Sequence, residues 1–399
     1  MTTVHETLAT GQTEVDAVGT ATALLDAYRP DTDRFLASPT RTLLARGVRA
    51  QVAHDERPLT ERVREALTAS RAAGEPDPVV VGAIPFDHTG PAALVVPAAV
   101  HRAPALCADP LIAFPPPRPE PIAWTVRPVP APERYGAAVA AAVRRMRAGE
   151  FGKVVLARAL DLTGDRSPDI PAMLQRLARR DARGYTFAVP TGTGGTLLGA
   201  SPELLVSRRG TALVANPLAG SMPRSDDLAE DVRRAAALLE SPKDLHEHAV
   251  VVDAMRAVLA PYCSELHVPE RPTLVQTAAM WHLSSTITGT LALPSVSVLD
   301  LACAVHPTPA VCGAPTELAR RVIGELEPFD RGLYTGIVGW GDADGDGEWV
   351  VTIRCAEVSD RGLRLFAGAG VVASSDPTAE TAETAAKFRT FLDAVGADL

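Results

Sequence analysis

Four apolar stretches follow one another between residues 185 and 215, with room only for turns between them, and this succession constrains the fold most. They run from Tyr185 to Val189, Gly195 to Gly199, Glu203 to Ser207 and Ala212 to Ala215. Strands this close leave no space for a helical crossover. Runs of adjacent strands, rather than strict alternation of strand and helix, favour an α+β fold with antiparallel sheets. Further strands are expected at Val79 to Gly82, Ala93 to Val96, Lys153 to Leu162, Leu274 to Ile287, Gly336 to Trp340, Glu348 to Ala356 and Leu363 to Ala369. Helical periodicity marks Pro58 to Ala73, Tyr135 to Ala148, Asp227 to Leu239, Leu245 to Ala260 and Thr378 to Val395. The stretch Phe114 to Pro128 holds six prolines and reads as an extended connection or edge segment, which Trp124 keeps packed. Residues 1 to about 20 are polar and expected to be loose, leaving 21–399 as the folded domain.

With 46% apolar and 22% charged residues in 399, the chain can bury a large core. Its formal charge of −9 argues against a nucleic-acid partner. An acidic chain that handles an anion must make positive potential locally, with a metal or a few fixed cations. There is no apolar run of membrane-spanning length, and the N-terminus lacks the basic and apolar regions of a signal peptide. Five scattered cysteines without a CxxC pair fit reduced thiols in the cytosol rather than a disulfide frame or zinc site.

Several familiar signals fail on inspection. Asp342, Asp344, Asp346 and Gly347 open like a calcium loop, but Ile353 stands where the bidentate glutamate belongs, so a hairpin turn is the better reading. His246-Glu247-His248 lacks the histidine that HExxH requires at Val250. Gly192/Gly194 and Gly368/Gly370 lack the helix start and third glycine of a dinucleotide fingerprint. Neither a Walker A motif nor GxSxG is present.

What remains is a set of polar residues inside apolar segments of the C-terminal two-thirds. Lys153 opens an apolar strand, where it is either a solvated strand end or a desolvated lysine usable as a base. Glu203 follows a Ser-Pro turn; it is either a turn residue or a buried acid able to hold a proton for a leaving group. Glu247 lies on an apolar helix, while Glu380 and Glu383 share a face of the last helix with Lys387 four residues on. These carboxylates suit a hard cation such as magnesium, or else a solvated Glu-to-Lys face. Arg354 sits in VVTIRCAEV, either facing solvent or buried against a carboxylate. Spacing and composition alone justify an anion site with room for a divalent cation.

The segments KVVLAR, GASPELL, NPLAGS, SPKDLHEH, WHLSSTI, HPTPAVCG, ELEPFDRGLYTGIVGW, GEWVVTIRCA and LFAGAGVVASSDP, in this order, resemble the chorismate-utilising enzymes. That family includes isochorismate, salicylate, anthranilate and aminodeoxychorismate synthases, and the resemblance runs from about Phe35 to the C-terminus. It implies one large domain of two antiparallel sheets packed face to face, with outer helices and a site in a cleft between them. It also implies Mg2+ as cofactor and chorismate as substrate. By the same resemblance Lys153 is the base that activates water for attack at ring C2, and Glu203 the acid that protonates the departing C4 hydroxyl. Glu247 and Glu383 become magnesium ligands, with Glu380 acting through water and Asp244 nearby. Arg354 and Tyr334 would take the enolpyruvyl carboxylate, helped by Lys387 and by backbone amides at Gly220 and Gly368. His282 matches a histidine beside the reacting ring.

Within the family, a lysine at the Lys153 position accompanies water as nucleophile, and NPLAGS lacks the lysine of the aminodeoxychorismate branch. Ala310 and Ile353 fit the pattern of enzymes that stop at isochorismate, whereas Tyr334 is what the salicylate makers carry. The resemblance therefore implies isochorismate synthase, with salicylate synthase as the alternative and a non-catalytic relative as the alternative of another class. Isochorismate feeds siderophore, menaquinone and salicylate biosynthesis. Water-using members generally need no amidotransferase subunit, so a cytoplasmic monomer or homodimer without membrane attachment is expected.

Overall fold

A computed structural model describes residues 18–116 and 122–397. Two large sheets, of ten and nine strands, and a third of three strands organise it. Every strand pairing among the described residues is antiparallel. The layering follows from which face of each strand is apolar. Along Lys153–Gly164 in the first sheet, Leu160 and Leu162 point outward into a cluster with Met173, Leu174 and Leu177 of helix Ile170–Arg180 and Phe388, Phe391 and Leu392 of helix Pro377–Val395. Ala157 and Ala159 point the other way and meet Ala83, Val338 and Val350 of the second sheet. The far side of the second sheet packs Val206, Leu213 and Trp349 against Val63 and Leu67 of helix Leu59–Ala72 and Val251 and Met255 of helix Pro242–Leu259. Each such burial is worth roughly 1.5–3 kcal/mol. The result is helix, sheet, sheet, helix, the α+β architecture of two facing antiparallel sheets.

Two expected strands are in fact broken. Leu274 to Ile287 divides into Thr273–Gln276, Met280–Ser284 and Ile287–Leu291, because the Thr277 hydroxyl accepts from the Met280 N–H (3.0 Å) and closes a turn. The first two of these belong to the small third sheet with Leu218–Pro223, and the last to the second large sheet. Glu348 to Ala356 divides at Thr352–Arg354, where Arg354 has φ +51°. The chain leaves the second sheet with Gly347–Val351 and enters the first with Cys355–Val358.

A second crossing runs beside that one. Thr196–Ser201 lies in the first sheet and Leu204–Arg209 in the second, with Pro202 and Glu203 between. The crossings are laced together: the Ala200 N–H donates to the Arg354 carbonyl and the Val351 N–H to the Glu203 carbonyl, both at 3.1 Å. The backbone thus sets Glu203 and Arg354 together at the corner where the sheets join.

The proline-rich stretch ends in an edge strand, Trp124–Val129, against Lys153–Gly164, as its composition suggests, although residues 117–121 lie outside the described residues. Of the N-terminal stretch expected to be loose, residues 1–17 lie outside them too, and Thr20 already opens helix Thr20–Asp26. The Asp342–Gly347 segment is a hairpin turn in which Asp342 Oδ1 accepts from the Asp344 and Asp346 amides. All five cysteines are free, and no helix among the described residues is long and apolar enough to cross a membrane.

Candidate active site

A cleft of about 650 Å³ opens at the corner between the sheets. Glu203, Gly220, Glu247, His282, Ala310, Tyr334, Ile353, Arg354, Gly368, Glu383 and Lys387 all line it. Eleven of the fourteen residues singled out from sequence therefore share one cavity. Lys153, Asp244 and Glu380 do not line it, but each lies close to a residue that does. Lys153 Nζ lies 3.0 Å from Glu247 Oε1 with 1% of its side chain exposed, a charge contact off the line of a hydrogen bond. Asp244 is one turn before Glu247, and Glu380 one turn before Glu383.

Two capped helices deliver the carboxylates. Ser241 accepts from the Asp244 amide to start Pro242–Leu259, and Asp376 accepts from the Thr378 and Ala379 amides to start Pro377–Val395. Such caps are worth about 1 kcal/mol each and fix where the first turn begins. The second helix is held from beneath by Arg158, which donates to Thr384 Oγ1 (2.7 Å) and the Thr381 carbonyl (3.2 Å). Gly370 leaves room for the Glu247 carboxylate: a Cβ there would stand 2.1 Å from Glu247 Oε1 and displace it.

The electrostatics divide the acids into two kinds. Burial pushes the Glu203 carboxyl up to about 7, against the Leu218 amide and the charges of Lys153, Arg354 and Lys387. It is a carboxylic acid able to hold a proton near neutrality. Burial works the same way on Glu247, but the Lys153 ammonium overcomes it and holds that carboxyl below its ordinary value. Burial first, and then the neighbouring glutamates, raise Asp244 and Glu380. Lys387 bridges Glu383 (2.6 Å) and the Gly368 carbonyl (2.8 Å), so Gly368 presents its carbonyl here.

His282 is held through Nδ1 by the Ser221 hydroxyl at 2.7 Å, while buried Nε2 has no partner among the described residues. Burial, with Arg354 and Lys387 adding repulsion, drives its pKa well down, so the ring is neutral. Tyr334 stacks on Phe366 at 4.8 Å, and burial raises its phenol. Arg354 corrects an expectation. It is at a crossing rather than in a strand, and among the described residues no carboxylate is bonded to it. Burial weighs against its charge, and the Glu383 carboxylate is among the groups whose charge favours it. A cation facing an open cleft without a bonded counter-ion is available to an anion.

Among the described residues no three His, Cys, Asp or Glu side chains already converge as a metal site. The donor chemistry nonetheless fits a magnesium ion. Four carboxylates come from two helices, the charges of Glu247 and Glu383 helping to raise Asp244 and that of Glu383 helping to raise Glu380, and hard oxygen donors of this kind are what the ion takes. Two participants escaped the sequence reading. Ser221 sits in NPLAGS and orients His282. Lys243 pairs with Glu380 at 2.7 Å, and 137 residues separate them.

The family described as chorismate binding enzyme matches residues 113–396, and the chain belongs to it. The chain is 51% identical over 389 residues to the isochorismate synthase DhbC of Bacillus subtilis, covering 94% of this chain and 96% of that one. The crystal structure of DhbC from Bacillus anthracis superposes with a TM-score of 0.88 at 48% identity, over 95% of this chain and all of that one. MenF, the menaquinone-specific isochorismate synthase of Escherichia coli, gives 0.79 at 25% identity, over 93% and 91% of the two chains.

Proposed function

We propose that the chain is an isochorismate synthase, an isomerase that adds water to C2 of chorismate and expels the C4 hydroxyl. The observation that carries this reading is Glu203: a fully enclosed carboxyl raised to about 7, in a cleft that also holds the Arg354 cation. A dianionic substrate needs such cations, and a leaving hydroxyl needs such an acid.

Arg354 and Lys387 bind the substrate's carboxylates, with Tyr334 and the Gly220 and Gly368 backbone shaping the pocket. Neutral His282 offers Nε2 to the ring substituents. In the substrate complex Lys153 works as the neutral amine, having given up the proton it carries beside Glu247 in the unliganded protein, and takes a proton from water as the water oxygen bonds to C2. The ring double bond shifts, the C4–oxygen bond breaks, and Glu203 gives its proton so that the group leaves as water. Return of a proton from Lys153 to Glu203 resets the site, and the net reaction is an isomerisation. Glu247 and Glu383 would hold Mg2+, with Glu380 and Asp244 in its outer shell, and the ion would supply positive charge to a substrate carboxylate. We assign residues 21–399 to one catalytic domain, working in the cytoplasm without an amidotransferase subunit.

The test is incubation with chorismate and magnesium, then with EDTA, with products separated by chromatography and mass. An isomer of unchanged mass formed with metal alone supports the proposal. Salicylate with pyruvate would make Tyr334 the better guide, and no turnover at all would leave a binding protein.

A further inference from the structure

Of the 39 lysines and arginines in this chain, three are lysines: Lys153, Lys243 and Lys387. Each is paired with a glutamate of the carboxylate cluster, Lys153 with Glu247 at 3.0 Å, Lys243 with Glu380 at 2.7 Å and Lys387 with Glu383 at 2.6 Å. Elsewhere arginine makes the ion pairs, as in Arg331–Glu327, Arg224–Asp231 and Arg364–Asp161. If pairing with a carboxylate were all that Lys243 did, arginine would serve there as it serves elsewhere.

The two side chains differ in how they let go. A guanidinium is a planar fork that grips both oxygens of a carboxylate, whereas an ammonium is a compact charge on a flexible stem. Lys243 Nζ bonds Oε1 of Glu380. Glu380 is itself 1% exposed and cannot withdraw, while Lys243 is 34% exposed. Lys153 and Lys387, at 1% and 10%, have no comparable exit. Three ammonium ions face the four carboxylates of Asp244, Glu247, Glu380 and Glu383. A divalent cation added to them overfills the cluster unless one ammonium moves off, and Lys243 is the one with solvent to move into.

We propose that Lys243 is an exchangeable counter-ion, neutralising Glu380 while the cluster lacks a divalent cation and yielding Glu380 when one arrives. This rests on the reading that Glu247 and Glu383 hold such a cation. The test is Mn2+ binding to the full-length protein without chorismate, followed by electron paramagnetic resonance. Lys243→Arg should weaken Mn2+ binding about tenfold, because the fork does not release Glu380. Lys243→Met should bind Mn2+ as tightly as the unaltered protein or more tightly. A fixed structural brace gives the reverse order, with arginine retaining affinity and methionine losing it, and that result overturns the proposal. Equal affinity in all three proteins overturns it as well. Lys243→Gln takes the place of methionine if that variant does not fold, as judged by thermal melting in EDTA. If the unaltered protein binds no Mn2+ that Glu383→Gln weakens, the cation reading fails first and this inference falls with it.

Discussion

Glu203→Gln should stabilise the protein at alkaline pH while stopping turnover, and the size of the effect follows from burial. Folding carries this carboxyl from an ordinary value of 4.5 to about 7. Between those values the folded state binds a proton that the unfolded state has released, so stability falls as pH rises through the window. Each pH unit crossed inside that window is worth about 1.36 kcal/mol. The raised Glu203 therefore costs the folded state about 1.4 kcal/mol at pH 5.5, where it must keep its proton, and about 3.3 kcal/mol at pH 8, where it is charged and buried. Glutamine has the same shape and no charge to bury. The variant should gain about 2 kcal/mol relative to the parent between pH 5.5 and pH 8. Urea unfolding of both proteins at the two pH values measures this directly. Activity supplies the other half: turnover of the parent should fall as pH rises past about 7, where the acid loses its proton. Parallel pH dependences of stability in parent and variant would refute a raised Glu203, and with it the acid.

Lys153→Ala should abolish water addition while chorismate still binds, detected by quenching of intrinsic fluorescence; near-normal turnover would remove Lys153 as base. Gly370→Ala places a methyl 2.1 Å from Glu247 Oε1 and must push that carboxylate aside. The magnesium needed for half-maximal rate should rise about tenfold with little change in melting temperature, and an unchanged requirement would count against Glu247 as ligand. Arg331 bonds Glu327 twice and the carbonyls of Val155 and Val311, all out of water. Arg331→Met strands the Glu327 carboxylate and should cost about 3–5 kcal/mol in urea unfolding, whereas a loss under about 1 kcal/mol would mean the pair is dispensable.

The residues legible in the sequence were those whose chemistry clashes with their surroundings. Glu203 after Ser-Pro, Glu247 among valines and Arg354 beside Cys355 each stand out, and all three do line the cleft. The strand breaks beside them were not legible. Apolar residues flank the bend on both sides, Trp349 to Val351 in one sheet and Cys355 to Ala356 in the other, and Thr352 to Arg354 between them include no glycine or proline to mark a turn. The same geometry explains why Arg354 has no bonded carboxylate among the described residues: the bend aims it into the cleft rather than across a sheet. Lys243 carries no signal in the sequence, since a lysine in the first turn of a helix looks solvated. Its partner is visible only once helix Pro377–Val395 is packed alongside.

The paired crossings at Pro202–Glu203 and Thr352–Arg354 make the two sheets one creased ribbon rather than two stacked plates. Plates can slide and gape; a crease holds its line while the free margins open. Thermal breathing of the sandwich should thus begin at the rim far from the crease, and Glu203 and Arg354, the proposed proton donor and anion-binding residue, ride on the part that moves least. A catalytic spacing written into the fold line is shielded from most of what happens to the sheet on either side of it. Loops and insertions at the opposite margin can change freely without retuning the chemistry.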